Sequence, residues 1–237
     1  MFNNLLFVSL APVIIIAFYI YNRDKYEKEP FPILLKALLA GVLIVLPVVI
    51  VERLLMIFYQ EREGIGYALY NAFVVAGLTE EGMKFLAFYL VFWKNKNFNE
   101  KFDGIVYAVF IALGFAAIEN LLYVFRGGYG VGLIRAVTAI PAHALFGIVM
   151  GYYFGLARFS TSHRTFYLSL AFLLPFVFHG IYDFILMSNS KILLTLFIPV
   201  FFYFVVSGFK KMERLSDDSA FKDSYSPDDE SGPFSID

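Results

Sequence analysis

The chain contains no cysteine. That excludes disulfides, thiolate metal sites and a cysteine nucleophile. Charge is also scarce. Asp, Glu, Lys and Arg make up 16% of the 237 residues, against 59% hydrophobic ones. Soluble domains carry about 25% charged residues, so this balance indicates a polytopic membrane protein. The net charge of −1 has no basic stripe behind it, and no nucleic-acid partner is expected. Common protease signatures are missing as well. The three histidines open HALFG, HRTFY and HGIYD, so there is no HExxH zinc helix. No GxSxG supplies a serine elbow. A pair of intramembrane aspartates is lacking too: Asp183 is one candidate, but Asp103 falls at the membrane border.

What is present is aromatic and apolar, with 29 Phe and 16 Tyr. At about 20 apolar residues per crossing, the chain reads as seven spans. They lie near 3–21, 34–59, 68–93, 104–125, 132–157, 165–187 and 191–209. The first lacks the basic n-region of a signal peptide and reads as a retained helix. Lys and Arg concentrate in the first, third and fifth loops and after the last span, which places those on the cytoplasmic side. The expected fold is therefore an all-α transmembrane bundle, N-terminus out and C-terminus in. Residues 1–209 form one membrane domain. Residues 210–237 form an acidic, Ser-rich tail expected to be disordered.

The stretch from Asn71 to Trp93 is apolar enough to span a bilayer, yet it carries Glu80, Glu81 and Lys84 in its middle. Each charge at that depth costs about 2.5–3.5 kcal/mol on insertion scales, so such residues mark a functional site. Other spans bring Glu119, Asn120, His143, His179 and Asp183. Counted at about 1.5 Å per residue from the outer helix ends, all of these fall in the outer half or near the midplane. One shared polar cavity, opening away from the cytoplasm, is expected. Lys84 lies three and four residues from the two glutamates and can lean on either. Asp183 lies four from His179 and can fix its tautomer. Gly147, Gly151 and Gly155 form a small-residue ridge for close helix packing.

Two adjacent carboxylates in such a cavity can supply a general base toward water. A histidine or Asn120 can donate to the developing oxyanion. That makes a hydrolase site without a cofactor. The same groups could instead bind a divalent metal such as zinc. No familiar ligand spacing appears, so no metal is expected.

These residues also resemble a known family. EEGMK (Glu80, Glu81, Lys84) resembles the EExxK motif of the PrsW and CAAX/Abi intramembrane protease superfamily. FAAIE (Phe115, Glu119) resembles its FxxxE motif, and HGIYD (His179, Asp183) its HxxxD motif. DKYEKEP in the first loop resembles the PrsW branch. The resemblance implies a glutamate-type intramembrane endopeptidase in a bacterial cell membrane. It implies Glu80 or Glu81 activating water, with Glu119, His143 and His179 completing the site and Lys84, Asn120 and Asp183 in support. It further implies a membrane-spanning substrate such as an anti-sigma factor, cut near its extracytoplasmic side to free a stress sigma factor. A proton- or ion-coupled transporter built on the same Glu/His relay is the rival reading. Against it stands the lack of an inverted repeat or paired broken helices.

Overall fold

The structure, a computed structural model, describes residues 2–59, 63–217, 219 and 221–222. Among them there is helix and no strand. In chain order the helices are α1 (Phe2–Arg23), α2 (Phe31–Leu55), α3 (Gly64–Leu69), a π-helical segment (Tyr70–Gly77), α4 (Leu78–Val91), α5 (Lys101–Gly127), α6 (Tyr129–Val137), α7 (Ala139–Phe159), α8 (Arg164–Met187) and α9 (Lys191–Asp217). Helix satisfies every backbone donor and acceptor internally, which lipid demands. α1, α2, α8 and α9 each contain a proline, which membrane helices tolerate better than soluble ones.

Among the described residues, six helical stretches are long and apolar enough to cross a membrane: α1, α2, α5, the α6–α7 unit, α8 and α9. The expected third span is helical without a break from Gly64 to Val91, but its middle is wound as π-helix. The expected fifth span breaks at Thr138, where ψ of −73° follows φ of −121° and α6 splits from α7. α9 continues through Asp217, into the stretch set apart as a tail; residues 223–237 lie outside those described.

α5 is the axis, buried on all sides from Phe102 to Ala117. α7 lies against it along the glycine ridge. A Cβ on Gly151 would stand 2.2 Å from the Gly104 carbonyl oxygen, and one on Gly155 2.3 Å from that of Lys101. Backbone cannot yield as a side chain can. Gly151→Ala should therefore separate the two helices and destabilise the protein by about 1–3 kcal/mol, read as a lower melting temperature in detergent. Below the site, Phe88 stacks on Phe154 at 3.9 Å and on Phe98 and Tyr107 edge-on or tilted, filling the bundle's other end.

Loops one and three meet at that end. Asn99 Nδ2 donates to Glu27 Oε1 at 2.8 Å, while Arg23 and Lys25 pair with Glu213 and Asp217 at the end of α9. Asp24 and Glu29 are buried in this junction. Burial raises the Asp24 carboxyl well above the usual range and pushes Glu29 up to about 8.

Candidate active site

α4 presents Glu80, Glu81 and Lys84 to the bundle interior, and all three are buried. The π-helical segment just before them inserts its wider turn against α8, where Phe73 packs at Gly180. Such turns re-aim the residues that follow and recur at functional sites. Lys84 Nζ donates to Glu81 Oε1 at 2.7 Å and to Glu80 Oε2 at 3.1 Å. It also lies 4.4 Å above the Phe115 ring and 3.2 Å from His143 Nδ1. An ammonium only donates, so Nδ1 of His143 is the acceptor. Its proton then sits on Nε2, which donates to Glu119 Oε2 at 2.9 Å.

His179 comes from α8 and closes the other side. Its Nδ1 lies 2.8 Å from Glu81 Oε1, and its Nε2 lies 3.3 Å from Asp183 Oδ2 and 4.0 Å from Glu80 Oε2. Carboxylates face both ring nitrogens, so the ring can carry a proton between them. Phe146 stacks on it at 5.2 Å and fixes its plane. The two imidazole centroids are 5.6 Å apart. One network thus runs from Asp183 through His179, Glu81, Lys84 and His143 to Glu119. It joins four helices that the sequence separates widely.

The expected residues are therefore brought together. Asn120 is the exception in its role. Its amide donates to the Ser9 carbonyl at 2.8 Å, and its oxygen accepts from Arg135 Nε at 2.8 Å. Both ends are engaged, so Asn120 ties α1 and α6 to the site and does not point a donor at the glutamate pair. Two residues were not anticipated. Arg135 donates to Glu119 Oε2 at 2.7 Å and lies 4.1 Å over Tyr123. A charge at a helix end reads as a topology signal in the sequence, and α6 breaks from α7 at Thr138 just after it. Glu52, near the end of α2, stands within electrostatic range of Glu80, Glu119, His179 and Lys84. A carboxylate in an apolar span was its signal in the sequence, masked by nearness to the helix end. A cavity of about 470 Å³ opens between α2 and α3, lined by Arg53, Tyr59, Tyr67 and Tyr70 among others, apart from the network.

Comparison with known proteins now decides the family. The model of the PrsW family intramembrane metalloprotease matches residues 29–209. The chain belongs to the PrsW protease family. It is 42% identical over 194 residues to Protease PrsW of Clostridioides difficile, covering 79% of this chain and 81% of that protein. It is 38% identical over 189 residues to Protease PrsW of Geobacillus kaustophilus, at 79% and 82% coverage. It is 35% identical over 185 residues to that of Bacillus subtilis, at 77% and 83%. No solved structure matches. The protein is thus a multi-pass bacterial membrane protein and an intramembrane protease, and its substrate is a membrane protein met in the bilayer.

The family's metal was not expected from spacing, and the geometry accounts for the difference. Glu80, Glu81 and His179 each bring a donor atom within 4.8 Å of the others. Glu81 Oε2 is buried with no hydrogen-bond partner among the described residues. Carboxylate and imidazole donors suit zinc and its neighbours. These residues fit a divalent metal. The ligands come from two helices, 98 residues apart, so no local spacing could announce them. Lys84 occupies one oxygen of each glutamate, which leaves the other oxygen of each for a cation.

Proposed function

We propose that the Glu80–Glu81–His179 cluster hydrolyses a peptide bond of a membrane-spanning protein, with water as nucleophile. The observation that carries this is the asymmetry of the glutamate pair. Glu81 is wholly buried, with Oε1 held by both Lys84 and His179. Glu80 keeps slight exposure, 5%, and gives only Oε2 to Lys84. Glu80 is then the base that takes a proton from water, and Glu81 is the fixed charge that orients Lys84 and His179. His179 passes the proton to the leaving amine, steadied by Asp183. His143 and Glu119 hold Lys84 from the far side, with Arg135 behind them. A divalent metal held by Glu80, Glu81 and His179 would, when bound, polarise the scissile carbonyl and acidify water.

The charge pattern of the loops supports seven spans, with the N-terminus outside, and a cut near the extracytoplasmic side. Following the family resemblance, the substrate is an anti-sigma factor whose cleavage starts release of a stress sigma factor. Relatives named Protease PrsW support the reaction class. The test is co-expression with single-pass anti-sigma factors from the same genome, followed by N-terminal sequencing of the fragments. A cut in the outer half of the substrate's span is expected. Cuts on the cytoplasmic side, or none in any such protein while other membrane proteins are cut, would refute the substrate and side.

A further inference from the structure

A second group of buried acids lies at the opposite end of the bundle, far along α5 from the protease site. It draws Asp24, Glu27 and Glu29 from loop one and Glu100 and Asp103 from the start of α5. Asp24 is 1% exposed, Glu29 4% and Asp103 0%. Asp24, Asp103 and Glu27 each have one oxygen placed by a neighbour. Asp24 Oδ2 accepts from the Glu29 amide at 3.0 Å. Asp103 Oδ2 accepts from the amides of Asn99 and Glu100, both at 2.8 Å. Glu27 Oε1 accepts from Asn99 Nδ2. The Glu29 carboxyl stands within electrostatic range of the Tyr107 hydroxyl and the Asp103 carboxyl. The remaining oxygens, Asp24 Oδ1, Glu27 Oε2, Glu29 Oε2 and Asp103 Oδ1, are buried without a hydrogen-bond partner among the described residues.

Carboxylate oxygens left bare inside a protein cost several kcal/mol each unless they take up a proton or meet a cation. Two neighbouring cations, Arg23 and Lys25, pair with α9 instead. The donors are all oxygen, which suits hard cations and not zinc or copper. We propose that Asp24, Glu29 and Asp103, with Glu27 at the rim, form a second cation site that takes a hard divalent ion such as Ca²⁺ or Mg²⁺. The ion ties loop one to the start of α5. Ser219 donates to Glu100, and Ser216 to the Arg23 carbonyl, so the C-terminal end of α9 and Ser219 close over the same junction. Among the described residues only the protease cluster already has three donor atoms within 4.8 Å. The loop site is therefore open, and the ion draws its carboxylates inward. This site stands independently of the cleavage reaction.

The test uses the full-length protein in detergent, stripped with chelator and titrated with Tb³⁺ as an oxygen-seeking probe. Excitation of tyrosine should give Tb³⁺ emission, because the Tyr107 ring borders Glu29. Ca²⁺ or Mg²⁺ should compete it away. Glu29→Gln, and separately Asp24→Asn, should weaken Tb³⁺ binding at least about tenfold, since ligand charge sets affinity at such sites. His179→Gln should leave it unchanged, which separates this site from the protease cluster. Neutralising an acid here removes repulsion, so both loop variants should stay folded, and their melting temperatures should no longer respond to Ca²⁺ or Mg²⁺. Emission that survives both loop variants, or is absent while wild-type melting ignores Ca²⁺ and Mg²⁺, overturns the proposal.

Discussion

Glu80→Gln should lower the cleavage rate by about a thousandfold, within the range that a positioned acid–base group supplies, while leaving the fold intact. The amide keeps the shape of the carboxylate and can still accept from Lys84. It cannot take a proton from water, and it is a poor metal donor. Glu80 lies at the edge of the cluster with little packing lost on substitution, so melting in detergent should change little. The loss should fall on kcat with KM nearly constant, because the substrate helix does not depend on Glu80 for binding. A rate within about threefold of wild type would remove Glu80 as the base, since a true general base contributes at least a hundredfold. Single-turnover cleavage of a purified single-pass substrate reads all of this.

Lys84→Met should have the opposite signature, failing in stability before catalysis. Lys84 is 1% exposed and is the one cation in hydrogen-bond contact with both glutamates among the described residues. Removing it leaves two buried carboxylates facing each other, a class of change that costs about 3–5 kcal/mol. The methionine fills most of the volume, so packing loss is a minor part. The variant should accumulate poorly and melt lower than wild type. Glu80→Gln added to Lys84→Met should recover part of the loss, because one uncompensated charge is gone. No recovery would mean that Lys84 acts through packing against Phe115 and not through charge.

The comparison of sequence and structure follows from the range over which each interaction works. Glu80, Glu81 and Lys84 were legible because three charges in one apolar run have no cheap alternative. His179 with Asp183 was legible because i, i+4 spacing puts both on one helix face. The π-helical winding before Glu80 was not, since it answers to α8, and Gly180 gives no hint that Phe73 will pack there. Arg135 lies at a helix end, where a charge can face water, and its pairing with Glu119 arises only once the bundle is folded. The Glu80–Glu81–His179 cluster, which could hold a metal, escaped because its members meet only after α4 and α8 pack. DKYEKEP in loop one stood out as a motif, but the burial of its Asp24 and Glu29 could not be read from the first loop alone.

The central claim is that acids and imidazoles from separate helices act as one hydrolytic centre. A double-mutant cycle between Glu80 on α4 and His179 on α8 addresses it most directly, with cleavage measured under enzyme excess on variants of matched melting temperature. If they work as a unit, the Glu80→Gln/His179→Gln pair cuts no more than a few-fold slower than the worse single variant, as catalytic groups acting together do. Losses that multiply to about a millionfold would mean two independent contributions, and the single centre described above would be wrong.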